Sequence, residues 1–272
     1  MKRVWLTLFL LCVAAGASCA GHGERYAVGE SDAPRNERDE IKQSYRLKPG
    51  AVIEVAGIRG TVEVEAIDGD TAHIEVVRSS SSREALADTK IVIEQTPTSL
   101  VVRSENESDN FVMHWLRRGR TANYSESVKL KVPRQVDLLT RGVNGRVTLG
   151  AVNGKVHVTG VNGSVAIVQA AGTATVSGVN GRVTLGLRSI GDQGANVSGV
   201  NGPVEIRFAG GVNADVQASG INGRVDSSDP GVTVDQDEDN RSSFHARVGA
   251  GGAPISLSGI NRPVSLRRNT AG

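Results

Sequence analysis

The chain has 272 residues, 33 of them glycine, and only 3% are aromatic. Glycine is enriched but far below the one-third that a collagen repeat needs, and 39% apolar content argues against a disordered chain. The net charge is +2, but Lys2 and Arg3 lie in a leader-like segment, and without them 29 basic residues face 29 acidic ones. A neutral body gives no electrostatic reason to expect nucleic acid as a partner.

Residues 1–20 read as an export signal. Lys2 and Arg3 precede an apolar run from Val4 to Ala15, and small residues Gly16-Ala17-Ser18-Cys19-Ala20 follow. The run is shorter than the ~20 residues of a spanning helix. Two processing routes are open: cleavage after Ala20, or lipidation of Cys19 at a lipobox-like site that has Gly16 where Leu is usual. Both cysteines, Cys12 and Cys19, lie in this segment, so no disulfide or thiol chemistry is expected in the body. Residues 21–43 are polar and charged and are expected to be a disordered tether.

Residues 44–140 carry irregular strand signals. Ala51–Val55, Thr61–Glu65, Ala72–Val77, Lys90–Glu94, Leu100–Arg103 and Val128–Val132 are rich in β-branched residues but less regular than the later repeats. A short helix is expected over 82–89, with Ser82 as its cap. Phe111-Val112-Met113-His114-Trp115-Leu116-Arg117-Arg118-Gly119-Arg120 gathers aromatic and basic residues in a long loop. Trp115, Arg117, Arg118 and Arg120 are candidates for a partner- or anion-binding loop, with end-capping of the fold as the favoured role.

Residues 141–268 repeat. A Gly-Val/Ile-Asn-Gly motif places Asn144, Asn162, Asn180, Asn201, Asn222, Asn240 and Asn261 at intervals of 18 or 21 residues, Asn240 being found by the period alone. Half a period away lies a second glycine-bearing corner, at Gly154, Gly172, Gly191 or Gly194, Gly211, Gly231 and Gly251-Gly252. Between corners, β-branched residues alternate with polar ones, as in Val147/Leu149, Val165/Ile167 and Val183/Leu185. Period-two strands between evenly spaced corners predict an all-β fold: a Gly/Asn-cornered, β-helix-like solenoid with coils of 18 to 21 residues. A meander that uses each Asn-Gly as a hairpin turn has the same spacing. The asparagines are expected to be structural corners rather than a ligand row.

Pro49-Gly50, Gly57-Ile58-Arg59-Gly60-Thr61-Val62-Glu63-Val64, Asp68-Gly69-Asp70 and the later Gly-Val-Asn-Gly-Arg-Val-Thr-Leu coils resemble the bacterial toastrack-type putative adhesin family. Gly220-Ile221-Asn222 is similar to the hallmark corner of the related head GIN domain. The resemblance covers about residues 44–268. It implies an exported β-solenoid, an adhesin by analogy or an accessory of envelope-stress or anti-sigma signalling, and it brings no catalytic residues.

Other constellations are weak. Asp235, Asp237 and Asp239 stand at alternate positions, a spacing that can wrap calcium, but a solvated acidic loop is the favoured reading. Arg146, Arg182 and Arg224 follow successive Asn-Gly corners, with Ser164 and Pro203 interrupting, and are placed to line one face toward an acidic polymer. The five histidines have no metal-ligand spacing, and no nucleophile elbow, phosphate loop or dinucleotide fingerprint occurs. The expected function is therefore a non-enzymatic envelope module without a cofactor, binding a surface polymer or an envelope protein. It would touch membrane only through a lipid on Cys19. Envelope signalling and a cryptic polysaccharide-active enzyme are the alternatives.

Overall fold

The computed structural model describes residues 37–106, 124–227, 229–236 and 242–268. In chain order the strands begin with β1 (Glu37–Arg46), β2 (Ala51–Ala56), β3 (Arg59–Ile67) and β4 (Thr71–Ser80), followed by a short helix α1 (Arg83–Ala87). Then come β5 (Thr89–Thr96), β6 (Ser99–Asn106), β7 (Tyr124–Pro133), β8 (Val136–Leu149), β9 (Val156–Val161), β10 (Val165–Ala170), β11 (Ala174–Val179) and β12 (Val183–Leu187). The chain continues through β13 (Ala195–Val200), β14 (Val204–Phe208), β15 (Ala214–Ile221) and β16 (Val225–Asp226). It ends with β17 (Val232–Asp235), β18 (Phe244–Val248), β19 (Ala253–Ile260) and β20 (Val264–Arg268).

The coils stack in parallel, which decides for the solenoid over the meander. One sheet runs β3–β8–β10–β12–β14–β20–β16, and the other runs β2–β8–β9–β11–β13–β19–β15, all parallel. We call them sheets A and B. β8 is long enough to serve both, so the boundary drawn at 140/141 falls inside one strand. Register keeps like on like: Val147, Val165, Val183, Val204 and Val264 align in sheet A, and Val158, Val176, Val197 and Leu257 align in sheet B. These inward columns are buried and form one core between the sheets. β-branched and Leu side chains fill most of the interior, with Phe208 and Phe244 its buried aromatics.

Stacking order departs from chain order at both ends. The first coil, β2–β3, lies between β6–β7 and β8, and the last coil, β19–β20, lies between β13–β14 and β15–β16. A fixed spacing predicts successive coils but not which coil a chain end joins, and among the described corners the stacking order is Asn201, Asn261, Asn222. Beyond the parallel stack, antiparallel strands take over: β1–β4–β7 on sheet A, β5–β6 on sheet B, and β15–β18–β17 at the other end of sheet B. They occupy backbone edges that a terminal coil would otherwise expose.

A second correction concerns the expected tether over 21–43. From Glu37 onward it is strand β1, paired residue for residue with β4. Ile41 and Tyr45 pack against the core, while Lys42 reaches Glu75 at 3.8 Å and Arg78 bonds Asp39. Its polarity therefore belongs to a solvated outer face, not to disorder. The leader, Cys19, residues 21–36, Trp115, Arg117, Arg118, Arg120, Asp237, Asp239 and Asn240 lie outside the described residues.

Candidate binding faces

Each Gly-Val/Ile-Asn-Gly corner divides its labour by residue. The first glycine turns the chain with positive φ, as at Gly160 (φ 65°) and Gly178 (φ 62°). The Val or Ile points inward: Val143, Val161, Val179, Val200, Ile260 and Ile221 are all buried. The Asn points out and joins a ladder. The Asn162 amide donates to Asn144 Oδ1 at 3.0 Å, Asn180 to Asn162 at 3.0 Å, and Asn201 to Asn180 at 3.1 Å. The last glycine sits against the coil beneath it; a Cβ on Gly163 would lie 2.0 Å from the Gly145 carbonyl oxygen. The asparagine side chains are thus occupied with one another.

The ladder ends on a different group. Arg59 stands at the asparagine place beside Asn144, and Glu126, which is 1% exposed, lies opposite Gly60 in the neighbouring coil. Its carboxylate accepts Ser104 Oγ at 2.6 Å, the Tyr124 hydroxyl at 2.6 Å and the Arg59 backbone N–H at 2.8 Å. The Arg59 donor stands where the next asparagine corner begins, so Glu126 satisfies the backbone at the foot of the column. Burial, then the neighbouring carboxylate, push the Tyr124 hydroxyl above its ordinary pKa. Sequence reading did not single out Glu126, because two of its three donors, Ser104 and Arg59, come from distant segments.

Sheet B presents a neutral polar face. The residue preceding each corner glycine forms one outward column, Thr159, Ser177, Ser198, Ser258 and Ser219, in which Ser177 Oγ donates to Thr159 Oγ1 at 3.2 Å. Beside it runs His157, Thr175, Asn196, Ser256 and Gln217. The signal for the hydroxyl column is present in the sequence as Ser/Thr-Gly-Val/Ile-Asn. Toward β17, a groove of about 660 Å³ opens on this face, and Asp235 lies there opposite His245.

Sheet A differs along its length. Where β1, β4, β7 and β3 adjoin, Lys42, Glu75, Lys129 and Glu63 follow one another across the strands, and Lys131 reaches Glu65 at 3.7 Å. These opposite charges line a groove of about 650 Å³ and balance. Farther along, Glu205 pairs with Arg207 at 3.0 Å; Arg207 first, with Arg267 and Arg182 adding, holds the Glu205 carboxyl below its usual range. Among the described residues no group of three or more His, Cys, Asp or Glu is placed to hold a metal, and no helix is long and apolar enough to cross a membrane. Of the acidic trio, Asp235 is the described member.

No protein-family model and no curated protein matches this chain. Among solved structures it is similar to a putative cell adhesion protein from Clostridium sporogenes ATCC 15579, at 10% identity and TM-score 0.43, over 85% of this chain and 100% of that one. It is also similar to a putative adhesin from Bacteroides fragilis NCTC 9343, at 12% identity and TM-score 0.35, covering 85% and 97% of the two chains. A putative lipid binding protein from Parabacteroides distasonis ATCC 8503 matches at 12% identity and TM-score 0.25, again over 85% and 97%.

Proposed function

We propose that this chain is an exported, non-enzymatic, adhesin-like module of the cell envelope that holds a surface polymer against the outer faces of its solenoid. One observation carries the reading. The asparagine ladder and the parallel register fix outward side chains into straight columns repeating at ~4.8 Å. Such columns are preorganised, so a repeating ligand gains contacts without an ordering cost on the protein side. The hydroxyls and amides of the sheet B columns suit recognition by repeated hydrogen bonds. Export and a lipid on Cys19 belong to the same proposal, and mass spectrometry of the mature N-terminus reads both.

The test is retention of the purified mature chain on an array of envelope polysaccharides, with cleavage of the same polymers assayed in parallel. Retention without cleavage is expected. Cleavage of a retained polymer, or retention on none, overturns the proposal.

A further inference from the structure

The uneven charge of sheet A points to a more specific partner. Between β8 and β16 its outward positions include Arg146, Arg182, Arg207, Arg224 and Arg267 against two carboxylates, Glu205 and Asp226. Both carboxylates are engaged, Glu205 with Arg207 at 3.0 Å and Asp226 with Arg267 at 3.9 Å. Arg146, Arg182 and Arg224 are exposed and form no ion pair with any described residue. Elsewhere on the same sheet the lysines stand opposite glutamates, as Lys42 does to Glu75 and Lys131 to Glu65. The charge excess is therefore local to one half of one face.

Backbone bonds fix these three arginines in a single column. Val147 N donates to Ser164 O, Val165 N to Arg182 O, Val183 N to Pro203 O, Val204 N to Pro263 O, and Val264 N to Arg224 O. The column reads Arg146, Ser164, Arg182, Pro203, Pro263, Arg224. At ~4.8 Å per rung, the first two arginines stand about 10 Å apart and the last two about 14 Å. The residues between them are short and leave the guanidinium groups uncovered. At these separations the guanidinium groups repel one another only weakly, and a polyanion that reaches all three gains from each contact. A guanidinium also matches a carboxylate in fork geometry, which favours a carboxylate-bearing chain over a point anion.

We propose that the Arg146–Arg182–Arg224 column is a docking track for a linear acidic polysaccharide that lies along the solenoid axis with its carboxylates on the three guanidinium groups. This rests on the reading of the chain as a polymer-binding module. Each exposed pair contributes little alone, and the three act together because one polymer spans them.

Polygalacturonate is the probe, with dextran as the neutral polymer, both presented to the full mature chain at low ionic strength. The triple variant R146S/R182S/R224S is expected to bind polygalacturonate at least roughly tenfold more weakly than wild type. The charge-matched triple K42S/K129S/K131S, on the balanced half of the sheet, is expected to bind as wild type does. Circular dichroism confirms that both variants are folded. Equal loss in the two triples, or no binding of polygalacturonate by wild type, overturns the track. Wild type that binds dextran but not polygalacturonate sinks the track and leaves the binding module standing; retention of no polymer by wild type sinks both.

Discussion

Asn261 follows Asn222 in the chain but lies beneath it in the stack. The Asn261 backbone N–H donates to Val200 O at 3.0 Å, and the Asn222 N–H donates to Ile260 O at 2.7 Å. The last coil is therefore an interior rung, clamped between β13–β14 and β15–β16. In a solenoid stacked in chain order, deleting the last coil costs one terminal repeat and little else. Here, truncation after Gly252 removes the partner of two coils at once and bares the facing edges of β13, β14, β15 and β16. The expected outcome is loss of the cooperative thermal transition, or aggregation, rather than a modest drop in Tm. A truncated chain that melts cooperatively within a few degrees of wild type would show that the intercalated order is wrong.

The corner glycines are fixed by contact as well as by φ. Gly163 has φ 155°, and its missing Cβ would lie 2.0 Å from the Gly145 carbonyl oxygen, whereas a Cβ on Gly210 meets nothing within 4 Å. Backbone on one coil cannot yield without shifting the coil beneath it. G163A is expected to cost more than about 2 kcal/mol, and G210A to stay within about 0.5 kcal/mol. Urea melts of the two variants check this, and similar midpoints would contradict the close coil-to-coil approach.

Asn180 sits mid-ladder and takes part in two side-chain bonds, donating to Asn162 and accepting from Asn201. Asn144 accepts one such bond, from Asn162. Exposed hydrogen bonds are modest, so N180A is expected to lose about 1–2 kcal/mol and N144A about half as much. Chemical denaturation of both variants tests the ratio. Equal, negligible losses would mean that the amides are decorative and that the glycines alone shape the corner.

How much of this was legible follows from what each feature depends on. Coil length and the buried Val/Ile columns depend only on local periodicity, so Val147, Val165 and Val183 were readable, as were the glycine corners. The Asn222–Asn261 order depends on which edge a chain end meets, and a spacing of 18 or 21 residues is blind to it. β1 was misread because only Ile41 and Tyr45 mark its inner face, and its charges make sense only beside Glu75 and Arg78. The arginine row was visible as Asn-Gly-Arg, but its lack of counter-charges required the register of β14, β20 and β16.

Glu126 and Tyr124 tie the stability of the ladder's foot to pH. The buried Glu126 carboxylate serves three donors, and the Tyr124 hydroxyl is held protonated by burial and by that carboxylate. E126Q replaces one acceptor oxygen with an amide that meets donors, and is expected to cost about 1–3 kcal/mol. For Tyr124 the folded pKa lies above the unfolded value of 10.0, so its stabilising contribution is complete below pH 10 and is lost as pH rises from there toward the folded value. Y124F forgoes the bond at every pH but cannot ionise. Wild type is therefore expected to lose stability more steeply than Y124F above pH ~10, the two being separated at pH 8 by the lost hydrogen bond. Urea midpoints at pH 8 and pH 11 give the slopes, and parallel slopes would show that Tyr124 ionises in the folded protein as freely as in the unfolded chain.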